Sequence, residues 1–228
     1  MLLRTLPFAL GAALLFAACG SSTEYNTDRD FSDDELEAMA LTDGDVPAGM
    51  FGQDWAAYTN EDWAAEFPTV QDEEGLAIQK TALDSQGRVT GFRTILAWES
   101  PIAHLGRPYL FRTHSTVFAD VAAAKEAVAL YCDLPIDETS PIKEFRVPKL
   151  GDESVGLQVE EELPDFGTSI DTIVCFRTGR IVHSVVQSGL DGTSDISLSV
   201  RLAKRMLTHV EDALSGKSTD SAEDDATP

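Results

Sequence analysis

The segment TSIDTIVCFRTGRIVHSVVQS, residues 168–188, decides the fold. Its two halves are rich in β-branched and aromatic residues and are joined by Thr178-Gly179. Such stretches favour strands, and a two-residue connection is typical of a tight hairpin. Pairing Arg177 with Arg180 makes both faces of the hairpin apolar near the turn. The predicted partners are Phe176 with Ile181 and Cys175 with Val182. This end of the sheet is therefore expected to be covered on both sides.

The chain around this hairpin alternates between neighbouring strands and single helices. Further strands are predicted at 88–99, 108–118 and 154–162. One helix, capped by Asp120, is predicted over 121–132, and a last helix begins at Asp195 or Ser194. The apolar stripe of that last helix consists of Ile196, Val200, Ala203, Leu207, Val210 and Leu214. The order short helices-β-β-α-β-β-β-α indicates an α+β fold with a mainly antiparallel sheet of about five strands.

Aromatic residues are concentrated between residues 51 and 67. Trp55 and Tyr58 stand three residues apart, and Trp63 and Phe67 four apart, which is helical spacing. Two short amphipathic helices that cover the sheet with these rings are one interpretation. The other is a pocket for a sugar or small molecule, since aromatic faces beside polar atoms line such sites. These four residues are the candidate ligand-binding residues.

The charge of the chain limits its partners. Its 228 residues contain 17 Lys and Arg against 39 Asp and Glu, a formal net charge of −22. Nucleic acids bind clustered positive surfaces, so no nucleic-acid partner is expected, and anionic lipid surfaces are disfavoured. A hydrophobic fraction of 43% excludes a disordered chain and supports one sizeable core.

The N-terminus has the pattern of an export signal. A short segment carrying Arg4 precedes the uncharged stretch Thr5–Ala18, which is too short to span a bilayer and is typical of a signal peptide. The following residues, FAACGSS at 16–22, resemble the lipobox of bacterial lipoproteins, which implies lipid modification of Cys19 and a membrane anchor. Cleavage by the general signal peptidase, using Ala18 and Gly20, is the alternative.

Four segments follow from these patterns. They are a signal peptide at 1–18, an acidic tether with a short helix at 19–45, a single α+β domain at 46–214 and a disordered acidic tail at 215–228. The short helix is predicted over 33–40, because Ser32 and Glu35 form a capping box. The protein is expected to be exported and held on the cell membrane or outer membrane, facing the extracytoplasmic side.

The other two cysteines are Cys132 and Cys175. In an exported chain they form an even pair that a disulfide can join. Two buried thiols are the alternative, because unpaired cysteine is among the most buried residue types.

A second resemblance concerns the C-terminal half. The segment 147–214 contains LGDES at 150–154, RTGR at 177–180 and a closing helix. It resembles small domains of bacterial surface lipoproteins and of the extracytoplasmic sensor region of some mycobacterial Ser/Thr kinases, which are related in shape to the Mog1/PsbP-like fold. The resemblance implies a fold and a compartment, and it assigns no functional residue.

No catalytic, metal or cofactor motif is present in the sequence. The histidines His104, His114, His183 and His209 show no metal-ligand spacing, and phosphate-binding glycine loops are absent from the sequence. We therefore expect a non-enzymatic domain that binds a small molecule, an envelope component or a protein. One alternative is an envelope hydrolase assembled from dispersed residues such as Asp152, Glu153 and His183, and another is a scaffold subunit.

Overall fold

The computed structural model describes residues 25–99, 106–137, 139–163 and 167–216. The predicted signal peptide 1–18, the predicted lipid site Cys19, His104 and residues 217–228 of the predicted tail lie outside these ranges. The elements in chain order are α1 (Asp33–Glu37), β1 (Met50–Tyr58), α2 (Asn60–Ala64), α3 (Glu73–Ser85), β2 (Arg88–Trp98), β3 (Leu110–Phe118), α4 (Val121–Ala129), β4 (Ile142–Phe145), β5 (Glu153–Leu163), β6 (Gly167–Thr178), β7 (Ile181–Leu190) and α5 (Ile196–Leu214). None of the described helices is both long and apolar enough to cross a membrane.

The strands of the described residues form one antiparallel sheet of seven strands in the order β1-β2-β3-β7-β6-β5-β4. The α+β class with an antiparallel sheet is thus confirmed. The prediction of about five strands and its order of elements are wrong, because β1 and β4 were not recognised as strands. β4 is short and lies at the sheet edge, which is where a neighbouring proline such as Pro141 is tolerated.

Both faces of the sheet are covered. Along β6, Val174 and Phe176 point to a core shared with α1 and α5, whereas Ile173 and Cys175 point to a second core shared with α2, α3 and α4. This alternation is the two-residue period of a strand, applied to a segment that is apolar throughout. The expectation that the hairpin is buried on both sides is confirmed.

The N-terminal residues belong to the folded unit. The capping box of Ser32 and Glu35 is present, and α1 ends at Glu37. Leu36, Met39 and Leu41 have no exposed surface and pack against the sheet. The folded unit therefore begins well before residue 46.

The segment predicted as two short helices instead contains β1 and α2. Tyr58 pairs with Gly91 and Trp55 with Thr94 of β2, so the backbone hydrogen bonds of this segment run to a neighbouring strand. Phe, Trp and Tyr occur in strands as readily as in amphipathic helices, so helical spacing alone did not distinguish a helix from a strand in this segment. Only α2, capped by Thr59, is helical here.

The hairpin is present with a different register. Thr178 pairs with Ile181, and Phe176 pairs with His183, so the turn is Gly179-Arg180 and not Thr178-Gly179. Each partner has moved by two residues along the opposite strand, which leaves every side chain on its predicted face. Gly179 has a φ of +58°, the left-handed conformation that such turns require.

Helix α5 presents a face that differs from the predicted stripe. Asp195 is the N-cap, as expected. The buried residues are Ser199, Leu202, Ala203, Met206 and Val210, so only two residues of the predicted stripe are fully buried. The larger side chains of Leu202 and Met206 take the positions next to the sheet, and Ile196 at the helix start is left exposed.

The two sequence motifs behind the family resemblance contact each other. Asp152 accepts hydrogen bonds from the Arg177 guanidinium at 2.9 Å and from the Gly179 N–H at 2.8 Å. Arg180 donates to the carbonyls of Thr27, Arg29 and Phe118. The hairpin tip therefore ties together the start of β5, the end of β3 and the N-terminal segment.

We predict that Gly151→Ala destabilises the fold more than Gly167→Ala. Both glycines have positive φ, +54° and +85°, so alanine is strained at either site by about 1–2 kcal/mol. Only at Gly151 would the new Cβ lie 2.3 Å from the Arg177 carbonyl oxygen, while nothing lies within 4 Å at Gly167. Urea unfolding should therefore show an additional loss of about 2 kcal/mol for the first variant. Equal losses would contradict this packing.

Candidate functional site

The four candidate ligand-binding aromatics do not form one cluster. Trp55 and Tyr58 are three residues apart in β1 and so point to opposite faces of the sheet. Trp55 is 36% exposed and its ring lies over Gly52 of the same strand. Tyr58, Trp63 and Phe67 belong to the core on the α2–α4 side. The structure thus separates Trp55 from the other three residues.

Tyr58 and Trp63 are buried and their ring faces are occupied. Their centroids lie 4.9 Å apart, and the His114 ring lies 4.9 Å from Trp63. The Arg88 guanidinium lies 4.6 Å from the Tyr58 centroid, within cation–π distance. The Tyr58 hydroxyl is 3.1 Å from that of Thr116. These two rings therefore build the core and are not accessible to a ligand.

A buried ion pair lies under these rings. The Arg88 Nε donates to Asp133 Oδ2 at 2.8 Å, and Arg88 also donates to the side chain of Asn60 at 2.5 Å. The Trp63 indole N–H donates to the Asp133 carbonyl at 3.0 Å. Burial, opposed by Arg88, raises the pKa of Asp133 to about 6. The free-energy cost of removing this carboxylate from water thus exceeds the stabilisation that Arg88 provides.

The residues that carry Asp133 have an unusual backbone. Tyr131, Cys132 and Asp133 have φ values of +57°, +68° and +60°. A left-handed conformation costs a residue other than glycine about 1–2 kcal/mol, so three in succession store several kcal/mol. The predicted helix over 121–132 ends at Ala129 for this reason.

Cys132 and Cys175 form a disulfide in the structure, with Cα atoms 6.0 Å apart. It fixes the middle residue of the left-handed turn to strand β6, near the centre of the sheet. Both residues are buried, at 3% and 0% exposure. The loop that the disulfide closes is long, so the bond contributes about 4 kcal/mol in the chain-entropy model.

A partly open cavity of about 80 Å³ lies between α3, α4 and the left-handed turn. Its apolar lining consists of Phe67, Ala123, Ala127, Leu130 and Leu134, and its polar lining of Gln79, Gln86, Glu126 and Asp133. A dry cavity of about 150 Å³ holds benzene, so this one accommodates a smaller apolar group or the end of a longer one. Of the four candidate aromatics, Phe67 alone contributes to it.

A second cavity of about 160 Å³ lies farther along the same segment, against the edge of β5 and β6. Its lining includes Pro68 next to Phe67, together with Pro135, Ile136 and Asp137. We call residues 131–137 the strap. The strap thus forms part of the wall of both cavities. Among the sequence-predicted ligand-binding residues, Phe67 lines the first cavity and none lines the second.

The residues of the hydrolase alternative occupy different environments. Asp152 and Glu153 both contact the Arg177 guanidinium. Arg177 points to the α2–α4 side, as does Val182, with which it pairs. His183 follows Val182 in β7 and therefore points to the opposite side, toward α1 and α5. There the His183 Nδ1 lies 2.9 Å from the Ser115 hydroxyl, and burial lowers the pKa of His183 to about 3. The sheet separates this imidazole from the two carboxylates.

Buried histidines should make the protein sensitive to acid. Because the pKa of His183 falls from 6.5 to about 3, the unfolded chain binds more protons, and stability is lost as pH falls below 6.5. His114, whose pKa is lowered chiefly by burial and then by Arg112, acts in the same direction. We expect wild type to lose about 1.2 kcal/mol more than His183→Gln between pH 6 and pH 5, measured by urea unfolding. Asp133 titrates in both proteins, so its opposite contribution cancels, and equal slopes would contradict a neutral buried His183.

No protein-family model and no curated protein matches this chain. Among solved structures, the extracellular domain of PknH from Mycobacterium tuberculosis is similar to it, with a TM-score of 0.50 and 10% sequence identity. The likeness covers 83% of this chain and 99% of that one. At this identity it concerns the fold, in agreement with the sequence resemblance to mycobacterial extracytoplasmic domains, whereas the broader Mog1/PsbP likeness stays a prediction. The chain thus shares the fold of a mycobacterial extracellular domain.

Proposed function

We propose that this chain is an extracytoplasmic lipoprotein, anchored through Cys19, that binds a ligand without catalysis. In this proposal the ligand is a small molecule or envelope component, and it places an apolar group in the cavity between α3 and α4. The observation that carries the proposal is the lining of that cavity. Five apolar side chains line it, and the amides of Gln79 and Gln86 can orient a polar substituent.

The position of the cavity mouth also supports binding. Leu130 is 51% exposed and lies at the cavity, and the neighbouring Tyr131 is 42% exposed. Exposed apolar side chains scattered singly need no explanation, but two adjacent ones beside an apolar cavity form a surface that a ligand can cover.

Anchoring at Cys19 would set the orientation of the domain. Tyr25 is six residues from Cys19, a segment that spans at most about 20 Å when extended. Arg180 holds the adjoining residues Thr27 and Arg29 at the hairpin tip. The hairpin end of the sheet would then face the membrane at close range.

We predict that Ala127→Leu abolishes ligand binding while Ala122→Leu preserves it. Both residues lie in α4, but Ala127 is buried and lines the cavity, whereas Ala122 is exposed. The larger side chain fills the cavity only in the first variant. Native mass spectrometry of each protein, exported by its host, should show a non-covalent mass on wild type and Ala122→Leu alone. The same mass on Ala127→Leu, or none on wild type, would contradict the proposed site.

We also predict that Cys19→Ala converts the protein from a detergent-partitioning to a water-partitioning form. Two acyl chains anchor a protein stably, since each buried CH₂ contributes about 0.8 kcal/mol. Phase partition and intact mass of the host-exported protein measure this. A wild-type mass without added lipid would favour cleavage by the general signal peptidase instead.

A further inference from the structure

The strap gives both cavities part of their wall. Asp133 and Leu134 line the smaller cavity, and Pro135, Ile136 and Asp137 line the larger one. Any movement of the strap would change both spaces together. The shape of the candidate site therefore depends on what holds the strap in place.

Local structure holds the strap only in part, through one short hydrogen bond from the Ile136 N–H to the Leu134 carbonyl at 2.8 Å. Its first three residues are left-handed, a conformation that side chains other than glycine disfavour. The hydrogen bond from the Leu134 N–H to the Tyr131 carbonyl is long, at 3.4 Å. A chain leaving the alanine-rich helix α4 would, by local preference, continue as helix or extend. Contacts with distant parts of the molecule must therefore keep this path.

Contacts from distant segments reach the turn: the disulfide at Cys132 and, at Asp133, the Arg88 ion pair, the Trp63 hydrogen bond to its carbonyl and a hydrogen bond with the Thr116 side chain. The ion pair is a noncovalent restraint, and it does not offset the whole cost of burying the Asp133 carboxylate, whose pKa burial raises despite Arg88. The Trp63 contact is one neutral hydrogen bond. The disulfide is the covalent restraint, and it acts on the central residue of the turn.

We propose that oxidation of Cys132 and Cys175 assembles the cavity between α3 and α4, so that the chain becomes competent to bind only after this disulfide has formed. The inference rests on the proposed function, since it concerns the regulation of the same site. In the reduced chain the sheet would be retained and the strap would leave its path. Binding would then begin only in an oxidising compartment.

The chemistry is thiol–disulfide exchange with a disulfide-bearing oxidant. One cysteine thiolate attacks the oxidant's disulfide and forms a mixed disulfide, and the second thiolate attacks that bond. One S–S bond is broken and one is formed; the oxidant takes two electrons and two protons and leaves as a dithiol. Since both cysteines are buried once the bond exists, attack by solvent thiols is hindered, and assembly is a single event after export.

The test compares the oxidised full chain with Cys132→Ala/Cys175→Ala, both carrying Cys19→Ala so that no lipid is attached. Xenon is the probe, because it enters small apolar cavities, and methyl NMR shifts of Ala127 and Leu134 report its binding. Hydrogen exchange of the Leu134 and Ile136 amides reports the strap, and that of Val174 and Val185 reports the sheet. We expect xenon affinity to fall at least tenfold, and strap protection to fall at least tenfold below that of the sheet, whose own protection falls only as far as the free energy of global unfolding does.

A rescue variant tests whether left-handed strain is the reason. Tyr131→Gly, added to the variant without the disulfide, removes the strain at one exposed position. It should restore part of the strap protection and of the xenon shifts, whereas Ala129→Gly, in the preceding helical turn, should not. Failure of Tyr131→Gly to restore either would overturn strain as the cause.

The remaining outcomes separate the two proposals. Equal xenon binding and equal strap protection with and without the disulfide would overturn the redox dependence and leave the proposed function standing. Absence of xenon shifts in the oxidised protein would overturn the proposed cavity. In that case, the hydrogen-exchange protection of the strap would be the measurement that shows whether the disulfide holds the turn.

Discussion

The burial of β6 and β7 on both faces is the constraint on which the rest of the structure depends. Residues 181–189 of β7 are all buried, so each face needs a covering layer, and each buried polar group needs a partner. Gln187 illustrates the second requirement. Its side-chain oxygen accepts from the Asp195 N–H at 2.7 Å and its amide donates to the Asp195 carbonyl. A polar residue in the central sheet thereby fixes where α5 begins.

Local signals were sufficient for the elements at the centre of the fold. The β-branched runs predicted β2, β3, β5, β6 and β7, and side chains with oxygen acceptors predicted the starts of α1, α4 and α5. The peripheral strands were missed because their identity depends on pairing. β1 forms its ladder with β2, and β4 pairs through only four residues with β5. The hairpin register was displaced for a related reason, because two turns of equal length preserve the same face pattern.

The candidate site followed less directly from the sequence. Three of the four aromatic residues predicted from the segment 51–67, Tyr58, Trp63 and Phe67, lie on the side of the sheet that carries the cavity. Trp55 lies on the opposite face, because it is three residues from Tyr58 in the same strand. The left-handed turn leaves no local signal, since none of its three residues is glycine. Its links to β2, β6 and α2, made by Asp133 and Cys132, account for it. A feature maintained by contacts between distant segments is invisible to patterns within one segment.

The distribution of charge narrows the class of ligand. Although the chain carries a formal charge of −22, Arg88, Arg177 and Arg180 are each less than a tenth exposed and bind carboxylates or backbone carbonyls. These arginines act within the fold and do not form a positive surface. The residues that line the smaller cavity include Glu126 and Asp133 and no lysine or arginine. Arg88 offsets the charge of Asp133, whereas Glu126 adds a negative charge to the lining, so a neutral or cationic molecule with an apolar end fits this cavity best.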